Sequence, residues 1–504
     1  MMNDEKNVSQ GPSLPTNTVL ESAPVLTEAL AEQPIPEWKV SGIFSNHMVL
    51  QRERPITVWG WSSHIGAKVS ASWEQETVTG IVDENGRFEV TFAPHPASFE
   101  PTQMRIVSEY GETVFTDILV GDVWLIGGQS NAELNLEPCL GDSPEIAATL
   151  DENHPIRLFA QTQVGAMECT QFHHVPSRDI IKPEWCWKRP GEEAAKSFSA
   201  IGYYLARMIQ PKINVPVGVV MMCAGGACLR ELMPLELGHQ LGYKEGANVP
   251  VAGYYNTLIA PLIDLKFTGQ IFFQGESEGI WVEMAHSYGE DLAAFVEDER
   301  QRFGFDFSFY NIQLSSYREE CDDYFKHLYW VRASQFKALS LIPNSYLTVA
   351  RDLGSLPGEP DFAHSPHKYA LTKRVAAQVL AGEYGIGNLK DTYSPLPVKA
   401  VRNKNMVTVT FDCVNGGLCT AGGGSSQDQC AAALVKGFSF MDVDGKEIPA
   451  KAQIIDRETV CVEIPEGADA SEVHYSMNNM AYLEQADLCG GTGLPVPAFA
   501  IPCV

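Results

Sequence analysis

Basic residues are in short supply. Against 63 acidic residues the chain of 504 sets only 36 lysines and arginines, leaving a formal net charge of −27. Such a surface repels phosphate backbones and anionic lipid headgroups, which argues against a nucleic-acid or membrane partner and suits a neutral or cationic substrate best. Long apolar runs are absent too. No segment reaches the roughly 18 consecutive apolar residues that a membrane span needs, and Met1–Gln10 carries Asp4, Glu5 and Lys6 where a secretory leader has an apolar core. The expectation is a soluble, cytoplasmic protein. Cysteine is thin, 12 in all, with no Cys-x-x-Cys pair even where Cys413, Cys419 and Cys430 gather in a Gly-rich stretch. That spacing argues against a zinc site and for reduced, mostly buried thiols; no metal and no cofactor is expected.

What is present is a hydrophobic fraction of 45%, enough for a large core and more than one domain. Residues 1–36, rich in Pro, Ser, Thr and Glu, hold no sustained pattern and read as an N-terminal tail. From 37 to 117 short runs (Val58–Trp61, Val69–Trp73, Phe88–Phe92, Met104–Val107) are separated by turn formers. Among these, Asp83, Glu84, Asn85 and Gly86 read as a tight hairpin connection. This module is expected to be a β-sandwich or jelly roll. From 118 to 394 the apolar runs Ile118–Ile126, Val217–Met222, Gln270–Phe273, Phe309–Leu314 and Tyr346–Ala350 alternate with helical spacing over Ala194–Ile209, Ser287–Phe303, Trp330–Leu341 and Tyr369–Leu380. That rhythm predicts an α/β domain, a parallel sheet with helices on both faces. Residues 395–504 return to short strands and form a second β-rich, sandwich-like segment.

Chemistry-bearing residues collect just behind the parallel strands. Gln129, Ser130 and Asn131 follow the first, Gly225 and Gly226 the second, and Gln274, Gly275, Glu276 and Ser277 the third, while Asp361 and His364 lie in the loop after the last. Ligands bind outside the carboxyl ends of parallel strands, so four segments converge on one edge. A hydroxyl, an imidazole, a carboxylate and loop N–H groups are the parts of a serine hydrolase. Each part also has a plainer reading. Ser130 in this setting serves equally as a turn or helix cap, and the Gly-x-Ser-x-Gly elbow is missing, since Asn131 and Ala132 follow the serine. His367 competes with His364, but Pro366 favours helix entry after His364 and leaves His364 in the loop. Glu276 can orient the imidazole, hold substrate or cap its segment. Trp281, Tyr317 and Trp185 are candidates to stack on a sugar ring, and Arg230 and Arg351 to meet an anionic group; core packing and ordinary salt bridges account for such residues as well.

These segments, together with Ser197–Gly202, Asn256–Pro261 and an N-terminal stretch from Phe44 to Gln51 followed by Pro55, Val58, Trp59, Gly60 and Trp61, resemble the sialate O-acetylesterase family, a branch of the SGNH hydrolases. The likeness spans roughly residues 40–500. It implies an SGNH-like three-layer domain that removes acetyl groups from sugar hydroxyls of a mono- or oligosaccharide, without a metal, as a monomer or homodimer. Ser130 matches the nucleophile, His364 the base and Asp361 its orienting acid. The N–H groups of Ser130 and of Gly225 or Gly226, with the Gln274 side chain, match the oxyanion donors; Asn131, Glu276, Arg230 and Trp281 are auxiliary or substrate-binding candidates. Three departures stand out. His364 is separated from Pro366 by Ser365, although Lys368 keeps its place four residues on; Ala132 replaces a methionine; and Tyr475–Asn479 lacks a tryptophan. Three rival functions remain open: a glycosidase using Glu276 and Asp361, a non-catalytic carbohydrate-binding protein, and a peptidase or general lipase sharing the triad.

Overall fold

The longest strand, Gly111–Gly128 (β1), belongs to two kinds of sheet at once. In the computed structural model, which describes residues 33–162, 167, 174–244, 251–318, 324–359, 361, 363–421, 433–480 and 482–504, its first half pairs antiparallel with Ser98–Ser108. Its second half lies between two parallel neighbours. Burial follows the same division: alternating through Thr113–Phe115, then continuous from Ile118 onward. Alternation marks a strand with one wet face, and a continuous apolar run one covered on both.

The parallel strands are β1, Ile156–Gln161 (β2), Val217–Cys223 (β3), Gly269–Phe273 (β4), Ser308–Gln313 (β5) and Ser345–Val349 (β6). Their order is β2-β3-β1-β4-β5-β6, with Trp187–Lys188 added antiparallel outside β2. The helices Ala200–Ile213 (α1), Val282–Phe303 (α2), Leu328–Leu341 (α3) and Lys368–Gly382 (α4) pack in pairs, α1 against α4 and α2 against α3. After β3 the chain crosses β1 to reach β4, so strand order reverses beside β1. Such a switch point opens a crevice at the carboxyl end of the sheet.

Three local expectations are corrected. The strand Ile156–Gln161 went unread because it is six residues long and carries Arg157 inside its apolar run. The helix expected over Ala194–Ile209 is two helices, Glu192–Lys196 and α1, because the Ser199 hydroxyl caps the second by accepting from the Gly202 N–H at 3.2 Å. The Asp83–Gly86 turn is tight, with the Gly86 N–H donating to the Asp83 carbonyl at 3.0 Å. It joins strands that lie in different sheets instead of closing a hairpin.

Residues Ile35–Val504 form one unit. On the N-terminal side a three-stranded sheet (Lys39–Val40, Ile56–Trp61, Arg87–Phe92) packs Trp59, Phe88 and Phe92 into the same core as β1 and β3. Beyond α4, a five-stranded and a four-stranded antiparallel sheet enclose a separate core built on Val409, Phe411, Phe440, Tyr475 and Phe499. Among the described residues no helix is long and apolar enough to cross a membrane.

Candidate active site

β1 ends at Gly128, whose φ is +132°, and a Cβ there would lie 2.1 Å from the Phe273 carbonyl oxygen on β4. Only glycine permits both the turn and the close approach. The Gln129 N–H donates to that same carbonyl at 3.1 Å, and a four-residue helix, Ser130–Glu133, starts on the serine. Ser130 is partly exposed, and its backbone N–H has no acceptor among the described residues. The Gln129 side-chain carbonyl oxygen accepts from Gly275 N–H (3.2 Å) and Gln274 Nε2 (3.2 Å), locking the serine turn to the loop behind β4.

Asp361 grips His364 along one edge. Its Oδ1 accepts the N–H groups of Ala363 (2.8 Å) and His364 (3.0 Å), and its Oδ2 lies 2.8 Å from His364 Nδ1. Burial works to raise the Asp361 pKa, but the Ala363 N–H and the imidazole outweigh it and hold the carboxyl below its ordinary value. A hydrogen bond from Nδ1–H leaves the Nε2 lone pair free. Both His367 nitrogens face carboxylates, Nδ1 2.7 Å from Asp142 and Nε2 2.9 Å from Glu359.

Asn131 ties the two halves together. Its Nδ2 donates to Glu276 Oε1 (2.7 Å), to the Tyr317 hydroxyl (3.0 Å) and to the Ala363 carbonyl in the histidine loop (3.1 Å). Its Oδ1 accepts from Lys368 Nζ at 2.8 Å. Asn131, Glu276 and Lys368 are 3%, 2% and 1% exposed. Burial raises the Glu276 carboxyl, opposed by Tyr317 and Asn131, and pushes the Lys368 ammonium down to about 8. Asn131 is therefore a buried connector between the serine turn and the histidine loop.

Several site expectations need correcting. Gln274 is fully buried and its Nε2 is committed to Gln129, Ala227 (3.0 Å) and Glu278 (2.6 Å), so it braces the loops and has no hydrogen left for an oxyanion. The Gly225 N–H donates to Glu133 Oε2 at 3.0 Å. Gly226, with φ of +72°, is exposed, and its N–H has no acceptor among the described residues. Tyr317 is buried, its hydroxyl donating to Glu276 at 2.8 Å, and Trp185 is buried in the core; neither offers a ring face to a sugar. Arg351 is buried against the C-terminal segment, where its Nε donates to the Val496 carbonyl at 2.7 Å. Trp281 remains 43% exposed at the start of α2. Arg230 is half-buried in the turn after the glycine loop, with no partner for its Nε among the described residues. The bracing roles of Glu133 and Gln129 were not read from the sequence, although their place on either side of Ser130 was a usable signal.

The profile of a family described as carbohydrate esterase, sialic acid-specific acetylesterase, matches residues 120–381, from β1 through α4. The chain belongs to that family. The esterase is 23% identical over 418 residues to the sialate O-acetylesterase of Homo sapiens, covering 74% of this chain and 76% of the relative. It is 24% identical over 447 residues to that of Mus musculus, with 74% and 79% covered. Among solved structures, a carbohydrate acetylesterase from Xanthomonas citri superposes with a TM-score of 0.75 at 27% identity, over 93% of this chain and 99% of the other. The protein is thus a hydrolase, a carbohydrate O-acetylesterase. Among the described residues no cluster of His, Cys, Asp or Glu is arranged to hold a metal ion.

Proposed function

We propose that the esterase cleaves sugar acetyl esters through a serine acyl-enzyme, on an SGNH-type three-layer domain over 118–394 flanked by the β-rich segments 37–117 and 395–504. One observation carries this reading. The Asn131 amide, next to Ser130, is bonded to the Ala363 carbonyl, next to His364, whose imidazole Asp361 already orients. Ser130 Oγ attacks the acetyl carbonyl as His364 Nε2 takes its proton, and the oxyanion faces the N–H groups of Ser130 and Gly226. Each such donor contributes roughly 3 kcal/mol in the transition state. The imidazolium then protonates the departing sugar oxygen, and water repeats the cycle to release acetate. Arg230 and the exposed Trp281, on segments joined by the Leu229 N–H to Glu278 bond (2.5 Å), are the side chains offered to the sugar.

An O-acetylated sialic acid is the first substrate to try, as the relatives' name suggests, with acetylated xylan and xyloglucan oligosaccharides beside it. A paired-carboxylate glycosidase is not favoured, because Asp361 is engaged with His364 and Glu276 is buried. The test is acetate release from that panel by the wild type and by Ser130→Ala. The variant should lose at least about 10³-fold in kcat; undiminished release would remove the serine mechanism, and no release from any sugar by folded wild-type protein would remove the substrate assignment.

A further inference from the structure

We propose that Glu133 is a positioning residue for the oxyanion site: by accepting the Gly225 N–H, its carboxylate ties the glycine turn to the serine helix and holds the Gly226 N–H beside that of Ser130. The proposal rests on the serine mechanism and the oxyanion donors proposed for this site and adds a residue to them.

The two donors come from different strands. Ser130 follows β1 and Gly226 follows β3, and the ladder between these strands runs out just short of both. Its last registered pair is Gly128 with Cys223, and one further main-chain bond runs from the Ala224 N–H to the Gly128 carbonyl at 3.0 Å. Past that point one chain enters the helix Ser130–Glu133. The other enters a tight turn, closed by the Ala227 N–H on the Ala224 carbonyl at 3.1 Å. Gly226 takes the third position of that turn with φ of +72°, a conformation that favours glycine. No strand pairing reaches its N–H, so the spacing of the two donors depends on side chains.

Glu133 supplies the direct tie. It ends the serine helix, half-buried, and its Oε2 accepts the Gly225 N–H at 3.0 Å. Two more holds on the turn come from behind β4: Ser277 Oγ donates to the Gly226 carbonyl at 2.8 Å, and Gln274 Nε2 to the Ala227 carbonyl at 3.0 Å. These bonds secure the turn on both sides of the Gly225–Gly226 peptide. The N–H of that peptide, on the exposed Gly226, has no acceptor among the described residues. A donor for a developing oxyanion has to be in place before the charge appears, because moving it into place during the reaction consumes the stabilisation it gives. What the turn needs from Glu133 is an accepting oxygen and not a charge, since an anion near a developing oxyanion repels it. An amide carbonyl at the same reach supplies that oxygen equally well.

The test is the measurement of kcat and KM for 4-nitrophenyl acetate, with Ser130→Ala and Gly226→Ala as controls that must each lower kcat. A Cβ on Gly226 meets nothing within 4 Å, so the second control acts through the backbone alone. Failure of the serine mechanism shows in the first control, failure of the donor assignment in the second, and failure of the proposal in the Glu133 variants. Glu133→Ala should lower kcat about tenfold or more and leave KM within about threefold, since the oxyanion bond is made only in the transition state. Glu133→Gln should recover kcat to within about threefold of wild type, because it keeps the accepting oxygen. Glu133→Asp, a second route should Glu133→Ala not fold, keeps the charge but falls short of the Gly225 N–H, and should lose kcat as the alanine variant does. Added to Gly226→Ala, either losing variant should cost less than about twofold more, because both changes act on one donor. Wild-type kcat in a folded Glu133→Ala or Glu133→Asp protein, a full second loss in the double variant, or no recovery in Glu133→Gln would overturn the proposal.

Discussion

The two β-rich segments join the catalytic sheet by different physical means. The N-terminal one is continuous with it: β1 is a strand of both, Val49–Gln51 adds alongside, and the Arg52 guanidinium holds Asp122 in two bonds of 2.8 and 3.0 Å. The C-terminal one has its own core and is docked by side chains reaching main-chain carbonyls. Arg332 donates to Asn478 (2.8 Å) and Asn479 (2.7 Å), Arg351 to Val496, and Gln313 exchanges two bonds of 3.0 Å with Ala498. The first joint lies at the amino end of the parallel strands, where Asp122 meets Pro216 ahead of β3. The second lies at the carboxyl end, beside the site. Tyr317 connects it to the chemistry, its N–H donating to Asn479 at 3.1 Å and its hydroxyl to Glu276. The comparison teaches that a segment with no catalytic residue can still set the site's geometry if it docks at the loop end of the sheet.

The comparison can be broken at either joint. Arg332→Met should have the largest effect, because Arg332 is fully buried and its loss removes its bonds to the Asn478 and Asn479 carbonyls, the second of which also accepts from Tyr317. About 4 kcal/mol of stability should disappear, with a tenfold or greater drop in kcat from the displaced Tyr317, read by denaturant unfolding and by kinetics on the folded fraction. Gly121→Ala would set a Cβ 2.0 Å from the Pro216 carbonyl oxygen. It should cost about 3 kcal/mol but leave kcat of the folded enzyme near wild type, since the strain sits at the far end of β1. Equal kcat losses in both variants would erase the distinction between the joints.

The smallest effect is expected in the glycine loop. Burial pushes the Glu231 carboxyl up to about 7, against the Cys228 N–H and Arg230 that favour its charge. The fold prefers the protonated form, so the stability this group contributes is complete below its ordinary value of 4.5 and is lost as pH rises through about 7. Glu231→Gln should therefore melt like the wild type at pH 4 and about 2 °C higher at pH 8. A variant that melts lower at pH 8 would show the charged form to be the one the loop needs.

Much of this architecture is legible in the chain itself. The continuous apolar runs of β1, β3, β4, β5 and β6 mark buried parallel strands, and the residues after them have to share one edge. Asp361 and His364, three positions apart, are within reach of each other on any tight turn. The roles of Gln274, Tyr317 and Arg351 are not legible there, because a polar or aromatic residue in a loop reads the same whether it faces solvent or braces its neighbours. For Gln274 the answer came from Gln129, Ala227 and Glu278, of which two lie far away in sequence.

By itself, then, the sequence determined the alternation of strand and helix, the placing of Ser130, Gly226, Asp361 and His364 at strand ends, and the acidic balance, since each depends on local periodicity or composition. Tertiary structure alone decided which glycine N–H is left open, that Glu276, Asn131 and Lys368 form one buried chain, and that a distant β-segment holds Tyr317 in place. The physical reason is that hydrogen-bond satisfaction and burial are settled between residues about 40 to 240 positions apart, where no local pattern carries the information.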